Sequence, residues 1–179
     1  MRLGAVHPRR VLAIDPTTRG FGFAVFESQT TLIDWGVKST RTEKQAKTLT
    51  KIRELIRHYQ PQVLVFEDCA GRGSRRCRRI KCLLHSLRDL ALRERLTCRR
   101  LSPAQVRRIF QVFGATTKHQ IALAVAQQLP ELAPNLPPYR KPWMSEDYRM
   151  AIFDATALAL TYYYCRPLRG GPGPRHFSS

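Results

Sequence analysis

Three segments that read as β-strands crowd into residues 11–38, and the gaps between them are long enough only for turns. Residues 11–15 are an apolar run closed by a carboxylate, VLAID. In residues 20–27, Phe21, Phe23 and Val25 alternate with smaller neighbours. Residues 31–38 follow after a turn at Gln29 and Thr30. Consecutive strands with such short links dictate an antiparallel meander.

The period then changes. In residues 42–59, Ala46, Leu49, Ile52, Ile56 and Tyr59 recur at helical steps while lysines and arginines fill the opposite face. Pro61 stops that helix. Residues 62–67 read as a buried strand, again closed by a carboxylate, Glu67. After a Gly-rich loop at 70–74, a helix is expected over 75–96, with Ile80, Leu83, Leu84, Leu87 and Ala91 on one side, and then a strand at 97–101. Ser102-Pro103-Ala104-Gln105 has the N-cap, first-turn proline and capping-box spacing of a helix start, and Gly114 ends that helix near residue 113. Thr117 and Gln120 repeat the spacing and open a helix to about residue 129. Five prolines make 130–142 an irregular connection, and a last helix is expected over 147–164. A meander followed by alternating helices and strands predicts an α/β domain built on a mixed five-stranded sheet with helices on both faces. Residues 1–9 read as a basic arm, 10–165 as the domain and 166–179, which have no apolar face, as a disordered tail.

The 179 residues, 43% of them hydrophobic, suffice for one self-supporting core. Lys and Arg number 31 against 13 acids, a net charge of +18. Such a field attracts polyanions, nucleic acid first and an anionic membrane surface as the rival. No apolar run is long enough to span a bilayer, and Arg2, His7, Arg9 and Arg10 interrupt any secretory segment at the start, so no membrane partner is expected. Five cysteines at irregular spacing make no disulfide framework and point to a reducing, intracellular compartment. Cys77, Cys82 and His85 have only a weak zinc spacing, and Cys82 falls on the apolar stripe of its helix.

Three acids stand where a folding account disfavours them. Asp15 and Glu67 close two apolar strands, and Asp154 interrupts AIFDATALAL. Carboxylates are rarely buried unless paired or bound to a metal. Strand ends adjoin when the strands are neighbours, and a helix laid across them could deliver the third acid. Such a group would repel itself without cations. Mg²⁺ relieves the repulsion, and two such ions serve phosphodiester hydrolysis. Taken singly, each acid could instead be a turn residue, a solvated strand end or a solvent-facing helix position.

These residues resemble the RuvC-type Holliday junction resolvases. VLAIDPTTRGFGFAVFE (11–27) is similar to that family's first motif and VLVFED (63–68) to its second. LSPAQVRRIFQVFGATTKHQIA (101–122) looks like its Ser-Pro-x-Gln-Val stretch and Gly-x-x-x-Lys turn, and FDATALAL (153–160) like its final motif. The motifs occur in family order across residues 10–165. The resemblance implies a ribonuclease H-like fold, a homodimer, and resolution of four-way DNA junctions by symmetric cleavage that depends on Mg²⁺ or Mn²⁺, two ions per site. It implies that Asp15, Glu67 and Asp154 bind metal and that Lys118 lies near the scissile phosphate. The family's fourth ligand position is occupied by Ala151; Asp147, seven residues before Asp154 on the expected helix, is the candidate in its place, with Glu146 the weaker one. The family's aromatic wedge position is Ala70, set in a basic loop where Arg72, Arg75, Arg76, Arg78, Arg79 and Lys81 are expected to grip DNA phosphates. Alternatives are a related nuclease acting on RNA or RNA–DNA hybrid, a non-catalytic module that binds branched DNA, and an actin-like ATPase, for which the chain is too short.

Overall fold

The structure, a computed structural model, describes residues 9–40, 44–68, 77–141 and 143–165. Its elements are β1 (Val11–Thr17), β2 (Gly20–Ser28), β3 (Thr31–Ser39), α1 (Lys44–Tyr59), β4 (Val63–Glu67), α2 (Arg78–Arg93), β5 (Thr97–Leu101), α3 (Pro103–Gln111), α4 (Lys118–Gln128), a 3-10 helix (Pro130–Asn135) and α5 (Met150–Cys165). The tail and all but residue 9 of the basic arm lie outside the described residues, as do Ala70, Arg72, Arg75 and Arg76.

The strands form one mixed sheet in the order β3-β2-β1-β4-β5. β1, β2 and β3 pair antiparallel, as the short links require, whereas β4 and β5 run parallel to β1. Parallel neighbours need a crossover, and α1 and α2 provide it. Strand alternation divides the core in two. Leu12, Ile14, Leu64 and Phe66 pack with Ile52 and Ile56 of α1 and Leu84 and Leu87 of α2. Val11, Ala13, Val63 and Val65 face the other way, toward Val125 of α4 and Phe153, Ala157 and Leu160 of α5. The sheet therefore has helices on both faces, as expected. From 150 to 162 every residue is buried except Asp154. A helix apolar all round belongs inside a core, which is where α5 lies.

One glycine fixes how α5 seats. Gly22 stands opposite Asp15 in the β1–β2 ladder, and a Cβ added to it would fall 2.2 Å from the carbonyl oxygen of Ala151. Gly22→Ala must push backbone from backbone and is expected to cost about 3 kcal/mol, the upper range for overpacking. The denaturation midpoint measures this; an unchanged midpoint would mean that α5 does not rest on β2 at this point.

Local chemistry sets two of the five α-helix starts. Ser102 with Gln105 and Thr117 with Gln120 form complete capping boxes at α3 and α4. The expected start of the last helix at 147 is corrected to Met150. Asp147 Oδ1 accepts the backbone N–H of Arg149 at 2.9 Å, an Asx-type turn that competes with helix. Cys82 is also corrected: it is exposed, while Ile80, Leu83, Leu84 and Leu87 carry the buried stripe of α2.

Candidate active site

β1 and β4 are paired in parallel with Ile14 opposite Phe66, so Asp15 and Glu67 are the next residues along two adjacent strands. They share the parity of Ala13 and Val65, which face α5. Neighbouring strands lie about 4.8 Å apart, so the backbone alone holds these positions side by side. α5 crosses that face and brings Asp154 to the same place. Asp15, Glu67 and Asp154 line one cleft of about 390 Å³, walled by Arg107 of α3 and Lys118 of α4. Asp15 is only 3% exposed.

Lys118 is the first residue of α4, held there by the Thr117 cap. Its Nζ lies 2.8 Å from Asp154 Oδ2 and 2.6 Å from Glu146 Oε1. Burial by itself would push the ammonium down in pKa, but the charge and hydrogen bond of Asp154, then those of Glu146, outweigh it and raise the pKa above the ordinary lysine value. Lys118 therefore stays charged at neutral pH and balances Asp154 as a cation would.

Asp147 lies elsewhere. It precedes α5, so the expected two-turn relation to Asp154 on one helix face does not exist. It borders a second hollow next to the cleft and holds Arg149 Nη2 at 2.7 Å. The hydrogen bond from Arg149 draws its carboxyl below the usual carboxylate range, against a smaller opposing effect of burial. Glu146, rather than Asp147, shares a cation with Asp154. Ala151 is buried against Gly22 and does not line the cleft.

Of the expected phosphate-gripping residues, Arg78 is exposed at the start of α2. Arg79 donates from Nη2 to the carbonyl oxygen of Thr18, which ties α2 to the β1–β2 turn. Lys81 borders a small hollow beside Glu67 and Asp68 together with His85, Arg88 and Arg100, whose Nη1 lies 3.7 Å from Asp68 Oδ1. Sequence reasoning missed Arg88, Arg100 and Arg107. The signal was present for two of them. Lys81, Leu84, His85 and Arg88 recur at helical steps, as do Pro103, Val106 and Arg107.

As the side chains stand, no three carboxylate, imidazole or thiol groups among the described residues lie close enough to share an ion. The donor chemistry of the cleft nonetheless fits a hard cation. Three carboxylates line it and no histidine or cysteine does, a set suited to Mg²⁺ or Mn²⁺ rather than zinc. No helix among the described residues is long and apolar enough to cross a membrane.

No protein-family model matches the sequence, and no curated protein matches it. Solved structures do. Thermus thermophilus RuvC is similar at 21% identity and a TM-score of 0.61, over 87% of this chain and 94% of that one. T. thermophilus RuvC in complex with Holliday junction substrate is similar at 19% identity and a TM-score of 0.62, over the same 87% and 94%. The yeast mitochondrial Holliday junction resolvase Ydc2 is similar at 16% identity and a TM-score of 0.56, over 89% of this chain and 80% of that one. Sheet order, helix placement and these likenesses agree: the chain has the ribonuclease H-like fold of the RuvC-type Holliday junction resolvases.

Proposed function

We propose that the protein is a metal-dependent, structure-selective endonuclease that resolves four-way DNA junctions by symmetric phosphodiester cleavage, acting as a homodimer. The observation that carries this reading is the convergence of Asp15, Glu67 and Asp154 on one cleft of a chain with net charge +18. The likeness in fold to resolvases, one of them bound to a junction, supports it.

In this reading Asp15, Glu67 and Asp154 hold Mg²⁺ or Mn²⁺, two ions per site. Bound there, such ions supply Lewis acidity and make water nucleophilic at neutral pH. The protein's own groups position the substrate. The sheet fixes two of the carboxylates on adjacent strands, so their separation does not relax when charge builds between them. Lys118 provides a point charge next to a bound phosphate, and Arg107 offers a second cation on the cleft wall. Lys81, Arg88 and Arg100 continue the positive surface beyond Glu67, where the flanking backbone would run. Glu146 is the additional carboxylate within reach of the same ammonium, and it is a better candidate for the fourth acid than Asp147. Two such sites related by a two-fold axis would cut two strands symmetrically.

The test is a side-by-side digestion of a labelled four-way junction, the matched linear duplex and an RNA–DNA hybrid, in Mg²⁺ and in Mn²⁺. Paired nicks in the junction, with duplex and hybrid intact, are expected. Preferential cleavage of the hybrid would reassign the substrate class. Tight junction binding with no cut in either metal would reduce the protein to a binding module.

A further inference from the structure

The chain between the 3-10 helix and α5 presents aromatic rings that the core does not use. Tyr139 is 72% exposed, Trp143 78% and Tyr148 70%. The ammonium of Lys141 lies 5.4 Å from the centroid of the Trp143 ring. Tyr139 meets His119 edge to face at 5.4 Å. Tyr139, Arg140 and Met144 line a hollow of about 400 Å³ that also includes Thr117 and Lys118. Both of those residues line the carboxylate cleft as well, so the two depressions meet at the start of α4. Of the acids on this hollow, Asp147 is paired with Arg149, and Glu146 shares the Lys118 ammonium with Asp154.

Exposed rings interleaved with cations are what an unpaired stretch of nucleic acid requires. A ring offers its face to a base of any sequence, and an ammonium or guanidinium offers charge to the phosphate beside it. A chain of net charge +18 makes a polyanion the favoured occupant. We propose that Tyr139 and Trp143 form a stacking platform for an unpaired DNA base, with Arg140 and Lys141 holding the adjoining phosphates, next to the strand engaged at the carboxylate cleft. The proposal rests on the nuclease reading for its biological setting. It also provides stacking from a different element than the position held here by Ala70.

Trp35 and Trp143 are the two tryptophans of the chain, so a Trp35→Phe variant reports Trp143 alone. That protein is titrated, in chelator and at fixed salt, with a dT oligomer of about ten nucleotides and with a duplex of equal length. Saturable quenching of Trp143 emission by the single strand is expected. Trp143→Ala should weaken single-strand binding about 5- to 150-fold, the range for losing one stacked base, and duplex binding by less than about twofold. Tyr139→Ala should act in the same direction. Absence of quenching, or equal weakening for both DNAs, would overturn the platform, the second result leaving only general electrostatic attraction. If the nuclease reading is wrong, no junction is cut but the quenching and the selective loss persist. If the platform alone is wrong, junctions are still cut while Trp143 emission ignores them.

Discussion

Asp15→Asn is expected to lower junction cleavage by at least about a thousandfold, on the order of 4 kcal/mol of barrier, while the protein stays folded and still binds the junction. The substitution nearly keeps the shape of a side chain that is 3% exposed, removes its charge and exchanges one acceptor oxygen for an amide donor. Asp15 pairs with Gly22 of β2 and directly follows the last β1–β4 pair, Ile14 with Phe66, so its backbone position is fixed by the sheet and not by whatever binds in the cleft. Removing one of three like charges also relieves repulsion in the cleft, so the melting temperature should hold or rise. Single-turnover cleavage and thermal melting, run on the same preparation, separate the two effects. Cleavage within tenfold of the parent, at unchanged stability, would mean that Asp15 holds no metal.

Junction affinity is expected to fall about a thousandfold between roughly 50 and 200 mM salt, the behaviour of some six phosphate contacts. Lys81, Arg88, Arg100 and Arg107 line the cleft or the hollow beside it, Arg78 is exposed at the start of α2, and Arg72, Arg75 and Arg76 precede it in the sequence. Arg79 is different in kind, because its guanidinium already serves the Thr18 carbonyl. Replacing Lys81 and Arg88 together by Ala should reduce the slope of log affinity against log salt by about 2, with little change in preference between DNA shapes. Binding measured by anisotropy over a salt series reads both quantities. A slope near zero would exclude the basic surface as a phosphate track. An undiminished slope in the double variant would move the track to another face.

Periodicity and caps are local physics, and they were readable. The meander follows from link lengths, and the starts of α3 and α4 follow from the Ser102–Gln105 and Thr117–Gln120 pairs, whose hydrogen bonds need only adjacent residues. The placement of the three principal acids was legible as an anomaly, because a carboxylate at the end of an apolar strand or inside an apolar helix is costly unless it is solvated, paired or bound to a cation. The start of α5 was not legible. Asp147 has good N-terminal helix chemistry, and only its bond to Arg149 shows that it spends that chemistry on a turn.

The sequence by itself determined the five strands, the five α-helices and their order, and that Asp15 and Glu67 end apolar strands. Tertiary structure decided the rest. It made β1 and β4 neighbours, laid α5 across their ends, and brought Lys118 between Asp154 and Glu146. It also set Tyr139 beside His119 and against the cleft. The reason is range: a cap or an alternation is fixed by bonds between residues a few positions apart. Which strand ends adjoin, and which charges meet there, is fixed by burial of two apolar faces contributed by the whole chain.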